Sequence, residues 1–262
     1  MEPSKNILFG KNKKIRNRFF LLSLHRTKFL IFHPIKSFKY LCSKRTDYSR
    51  ISIAEISELL GEAKNIIEAG AADGVDTAIF AKTFQKANIF AVEPVFEQFQ
   101  YLEKKFSRTK NVILSNLAFS DTDGVGEMFV GQSTGGISGM GSSSLLNPTA
   151  HMKYFPEIEF PKKQKVDLVR LDSYLLAYKI DLVDLLWLDL QGKEVDVLAG
   201  SASALREKVR FLHLEISRIK FYDHMPTLVT VRRFLNANGF RCLIDRVGAI
   251  SGNALYSNKK FE

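Results

Sequence analysis

NIIEAGAADGVDT, residues 65–77, decides the fold. Its first half is a short apolar strand that stops at Gly70. Its second half runs through small residues into VDTAIFAKTFQK (75–86), where Val75, Ala78, Ile79, Ala81 and Phe84 recur at helical spacing. A buried strand, a glycine turn and a helix open a βαβ unit. The rhythm continues outward. NIFAVEP (88–94) is a second strand, and VFEQFQYLEKKFSR (95–108) is a helix with Phe96, Phe99, Leu102 and Phe106 on one face. NVILSNLAF (111–119) is a third strand. After a Gly-, Ser- and Pro-rich break at 120–163, strands and helices alternate again through LLWLDLQGKEVDVLAG (185–200) and VRFLHLEIS (209–217). The chain closes with a helix at 226–239 and two strands around GAISG, which read as a hairpin. The expected fold is α/β, a doubly wound parallel sheet ending in an antiparallel hairpin.

Charge divides the chain of 262 residues. Residues 1–50 hold 13 of its 38 Lys and Arg against two acids, leaving 25 bases and 26 acids in 51–262. The net charge of +10 thus belongs to a basic, aromatic-rich N-terminal arm, not to the domain that follows. Within 11–45 the apolar runs are too short to span a bilayer, which needs roughly 20 residues. Such a segment either lies on an anionic membrane surface or docks as a helix on its own domain. Nucleic-acid binding fits the charge, but no reading motif accompanies it. Cys42 and Cys242 have no metal-ligand or redox spacing. The expectation is a reduced, cytoplasmic protein without a structural metal, its arm suited to the inner face of a membrane. The boundary is expected at 50/51, with a long loop at 131–163 in the domain 51–262. The oligomeric state is not legible.

The glycine turn discriminates between ligands. A dinucleotide fingerprint wants GxGxxG, but counting from Gly70 those positions hold Gly70, Ala72 and Val75. The looser (Asp/Glu)-x-G-x-G-x-G turn of S-adenosylmethionine (SAM) sites fits Glu68, Gly70, Ala72 and Gly74, with one glycine changed to alanine. SAM has no pyrophosphate and needs no helix N-terminus to cradle one. Glu93 ends the second strand, where a carboxylate can accept both hydroxyls of a ribose diol. That feature alone suits a nicotinamide cofactor equally, so a dehydrogenase stays among the alternatives.

Six motifs in order, IIEAGAADGVDT, IFAVEP, SNLAFSDTDG, VDLVRLDSYL, LLWLDLQGKEVDVLAG and FLHLEIS, resemble the FkbM family of SAM-dependent methyltransferases over about residues 64–258. The resemblance implies a class I, Rossmann-like fold, SAM as cofactor and methyl transfer to a hydroxyl oxygen of a sugar, glycan or glycolipid-like acceptor. Against the pattern I-D-V-E-G-x-E-x-x-V-L-x-G, Asp189, Gly192, Glu194, Leu198 and Gly200 match, while Gln191 replaces an acid. Carried over, Glu68, Gly70, Ala72, Gly74, Glu93 and Asp189 hold the cofactor, and Asn116, Ala118 and Ser120 border its adenine. Asp189 and Glu215, at the carboxyl ends of neighbouring strands, are the expected catalytic pair. Glu68, Glu93 and Asp189 also have structural alternatives, Asp189 as a cap of the helix that follows. His213 reads as a core residue or a support for Glu215, and His151 and His224 as loop bases. Ser142, Ser143 and Ser144 offer hydroxyls to a polar acceptor. Gln191 and the arm also suit a membrane-surface scaffold that kept the fold and lost catalysis.

Overall fold

The computed structural model describes residues 49–133 and 140–262. All lie in one compact unit, Asp47–Glu262. The arm, and with it the question of membrane contact, falls outside the described residues.

The unit begins with helix α1 (Ile53–Leu60), capped by Ser52 and Glu55 in a reciprocal capping box. Strand β1 (Asn65–Ala69), helix α2 (Val75–Thr83), β2 (Asn88–Val92), α3 (Phe96–Phe106) and β3 (Val112–Ser115) follow. The second half holds α5 (Leu171–Ala177), β7 (Val183–Leu188), α6 (Glu194–Gly200), α7 (Ala202–Lys208), β8 (Val209–Ser217), α8 (Leu228–Ala237), β9 (Phe240–Asp245) and β10 (Ser251–Asn258). These strands form a seven-stranded sheet in the order β3-β2-β1-β7-β8-β10-β9. The first five are mutually parallel, and β10 runs antiparallel to both β8 and β9. The expected sheet and terminal hairpin are both present.

Strand pleat explains the layering. Ile66, Leu185 and Trp187 face Ile56 and Leu60 of α1, Phe80 of α2 and Phe84 just past its end. Ile67, Leu186 and Leu188 face Leu175, Val197, Leu205 and Leu235 of the later helices. All six residues of β7 are buried, as a central parallel strand requires. Strand order reverses between β1 and β7, so the carboxyl ends of these two strands flank the crevice where open α/β sheets bind ligands.

Two expectations are corrected. The third strand is two: β3 ends at Ser115, and β4 (Ala118–Phe119) leaves the main sheet to pair with β6 (Ile158–Val169). Asn116 stands at the departure, its amide donating to the carbonyls of Glu93 and Pro94 at 2.8 and 3.1 Å. The loop expected at 131–163 is also shorter. Strand β5 (Gly124–Ser133) runs antiparallel along β6, so residues 158–163 are strand. Solvated Lys162, Lys163 and Lys165 hid that strand from any hydrophobic count. Between them lie the short helix α4 (His151–Tyr154) and residues 134–139, the latter outside the described residues.

Candidate active site

A cleft with about 640 Å³ of unfilled space, mouth included, opens at the carboxyl ends of β1, β2 and β7. Of the residues singled out by sequence, Gly70, Ala72, Glu93, Ala118, Ser143 and Asp189 line it. Its walls are apolar, built from Val92, Leu117, Phe119, Met128 and Leu190. Among the lining groups are two carboxylates, Glu93 and Asp189.

Backbone geometry sets the floor. Gly70 has φ +89°, and its amide donates to the Val92 carbonyl at 3.0 Å. A Cβ there would stand 2.2 Å from the carbonyl oxygen of Asp189. Gly70 therefore lets the ends of β1 and β7 close on each other, a reason distinct from ligand approach. The Asp189 amide seals the same junction by donating to Ala69 O at 3.0 Å. Ala72 also holds a left-handed conformation, at φ +47°.

Glu93 is buried with each oxygen engaged: Ala72 N donates to Oε2 and Val95 N to Oε1, both at 2.8 Å. Burial nevertheless pushes its carboxyl up to about 7, against the pull of those two amides. Glu68 lies beneath the turn and does not line the cleft. Its Oε2 accepts from the Thr77 hydroxyl at 2.6 Å, tying β1 to the first turn of α2. Burial there raises the carboxyl to about 8. Gly74 also lies off the cleft, packed on Leu102 and Phe106 of α3. Asn116 holds the Glu93–Pro94 backbone, and Ser120 is buried, donating its amide to Val169 O and its hydroxyl to Asp121.

The β7–α6 turn carries most of the polar structure. Glu194 turns back so that Oε1 accepts from Leu190 N at 3.0 Å and Gly192 N at 3.2 Å. It is fully buried, and burial pushes it up to about 7. Gln191 Nε2 donates to Asp189 Oδ1 at 2.6 Å. Asp189 is thus not the helix cap; α6 starts at Glu194, behind Lys193. Glu215, half-buried on β8, does not line the cleft, but its charge bears on Tyr222 and Glu194.

Of the two readings of His213, the core residue is the one the structure shows. His213 stacks on Trp187 with ring centroids 3.4 Å apart, and neither nitrogen has a hydrogen-bond partner, so it does not support Glu215. Burial keeps it neutral, pushed down to about 3. His151 is buried among Phe155, Phe160, Phe221 and Tyr222, and burial pushes it down to about 4, which makes it a weak base at neutral pH. His224 is exposed. Ser144 spends its hydroxyl on Gln191 O and Leu146 N, within the fold. Sequence reasoning passed over Lys193, which lines the cleft and reaches Asp196 at 2.8 Å and Asp121 at 3.5 Å. Its bond to Asp196 is local, an i, i+3 pair that reads as an ordinary helix-surface contact; only the approach to Asp121 needs the fold.

The donor set suits a ligand with a diol, a flat apolar part and a positive centre. Two lining carboxylates disfavour a pyrophosphate, and apolar walls accept a base or ring. Among the described residues no group of His, Cys, Asp and Glu could hold a metal ion.

Comparison with known proteins gives one family match: the Methyltransferase FkbM domain, over residues 68–242. The 2-O-methyltransferase NoeI of Sinorhizobium fredii is 26% identical over 196 residues, covering 74% of this chain and 79% of that protein. Among solved structures, the methyltransferase FkbM from Methylobacillus flagellatus aligns with a TM-score of 0.44 at 15% identity, over 75% of this chain. This chain spans 43% of that one. The N-terminal domain of EvdMO1, solved with S-adenosylhomocysteine (SAH) bound, aligns with a TM-score of 0.44 at 12% identity, over 78% of each chain.

Proposed function

The chain belongs to the FkbM family of SAM-dependent methyltransferases, with the class I, Rossmann-like fold, and from that premise we propose that it methylates a hydroxyl oxygen of a sugar, glycan or glycolipid-like acceptor. One observation carries the reading: Glu93 and Asp189 face a single apolar-walled cleft at the switch point of the sheet. The similarity to NoeI, a 2-O-methyltransferase, favours oxygen as the atom methylated.

When bound, SAM would supply a methyl group activated by its sulfonium for transfer to the acceptor oxygen, with the neutral thioether as the leaving group. The protein's tasks are alignment, charge placement and removal of the hydroxyl proton. Glu93 would hold the ribose. Each of its oxygens accepts one backbone amide and, with about four lone-pair sites on a carboxylate, retains capacity for both diol hydroxyls. The Gly70–Gly74 turn, fixed from below by Glu68 and Thr77, would border the amino-acid end. Leu117, Ala118 and Phe119 would flank the adenine. Asp189, ending β7 at the cleft, would meet the reacting centre and receive the acceptor's proton, with Glu215 orienting the acceptor.

Titration calorimetry tests this reading. SAM and SAH should both bind, and Glu93→Ala should abolish binding. Absence of binding to the wild-type chain at about 1 mM ligand, a free energy near −4 kcal/mol, would refute it. The acceptor class is tested by incubation with free and lipid-linked oligosaccharides, read as gain of one methyl on oxygen.

A further inference from the structure

Gln191 joins three segments far apart in sequence. Its side-chain amide donates to Asp189 Oδ1 at 2.6 Å, and its Oε1 lies 3.1 Å from the Tyr222 hydroxyl. That hydroxyl also reaches the Ser142 carbonyl at 2.7 Å. The Gln191 carbonyl accepts from Ser144 Oγ at 3.0 Å. Next door, Gly192 has φ +105°, and a Cβ on it would press Leu146 at 3.0 Å and Met225 at 3.1 Å. The loop before α4, the end of β7 and the segment after β8 thus meet on two residues.

The polarity of the amide is fixed by this setting. Turned over, it would set an oxygen 2.6 Å from a carboxylate oxygen, two acceptors in contact. With the donor toward Asp189, the acceptor faces the Tyr222 phenol, whose single proton it shares with the nearer Ser142 carbonyl. A carboxylate at 191 could do only half of this.

The geometry points to Gln191 as a positioning residue: its amide, aligned by Tyr222, fixes the Asp189 carboxylate as an oriented anion at the point where a cationic methyl donor reacts. The inference rests on the donor assigned above. An acid at 191, as in the family pattern, would share a proton with Asp189 at that separation, whereas the amide leaves the charge on Asp189 alone. Charged groups around the pair are Glu194 on α6, Glu215 on β8 and Lys193 in the turn, with the Tyr222 hydroxyl opposite.

The test compares SAM, a sulfonium, with SAH, a neutral thioether, by calorimetry on the full chain. Their affinity ratio isolates charge at sulfur, because Glu93 serves both ligands alike. Gln191→Leu should lower the SAM-to-SAH ratio about tenfold, the scale of one hydrogen bond to a charged group, whatever it does to the denaturation midpoint. Gln191→Glu preserves the shape and makes a proton-sharing pair. Its ratio should rise with pH more steeply than that of the wild type, as the shared proton leaves and negative charge accumulates. If the wild type binds both ligands and neither variant moves the ratio, this inference alone falls. It falls too if Gln191→Leu weakens both ligands equally while lowering the midpoint, which marks a merely structural residue. If the wild type binds neither ligand, the donor assignment falls with it.

Discussion

Replacing Glu68 by glutamine should make the domain more stable at neutral and alkaline pH. Glu68 is 2% exposed, and burial raises its carboxyl from the usual 4.5 to about 8. Nearby Asp76, Glu93 and Asp73 push the same way, while the Thr77 hydroxyl opposes them. The folded chain therefore keeps a proton that the unfolded chain releases. Stability from this group is fully present below the unfolded value of 4.5 and is lost as pH rises through about 8. The slope is about 1.4 kcal/mol per pH unit between those limits, so the loss by neutral pH is about 3 kcal/mol. Glutamine has no such proton to lose, and its carbonyl can still accept from Thr77. Urea denaturation of both proteins across this range, with equal m-values, gives the difference directly. The variant's advantage should be near zero at acid pH and grow to about 3 kcal/mol at neutral pH. A flat difference would refute the reasoning, as would a variant less stable than the wild type in alkali. Either would mean that the buried carboxylate is ionised and paired in the fold.

Gly70→Ala should destabilise by about 3 kcal/mol or fail to fold, because its Cβ meets the Asp189 carbonyl at 2.2 Å and φ is +89°; thermal melting checks it. At the opposite end of the sheet, buried Asp184 accepts Lys64 N at 2.7 Å, Asn65 N at 3.1 Å and the Arg210 guanidinium at 2.7 Å. Asp184→Ala should cost about 3–5 kcal/mol in urea denaturation yet leave SAH affinity at permissive temperature intact, since nothing there reaches the cleft.

The main sheet was legible because its strands are short apolar runs ended by turn residues. β8 was expected over the nine residues it occupies, and the β1 turn was readable from Glu68, Gly70 and Gly74. The β5–β6 pair was not, because a strand solvated on much of its surface has no apolar signature. In the site, strand-end carboxylates were visible through spacing alone. Which of them face the cleft was not, since Glu93 and Glu68 both end buried strands and only backbone geometry separates their directions. The Gln191–Tyr222 contact spans 31 residues of sequence and has no local pattern. The departure at 191 could be seen in the motif; its use needed coordinates.

The stacked Trp187–His213 pair gives the protein an optical handle. Trp187 is the chain's single tryptophan, two residues before Asp189 on the strand that ends at the cleft. Its partner sits on the neighbouring strand, so the stack exists only while β7 and β8 stay paired. Opening the sheet parts the two rings and carries the buried indole into water. The emission band should then move to longer wavelength, so it follows the integrity of the sheet's centre in real time, without a label.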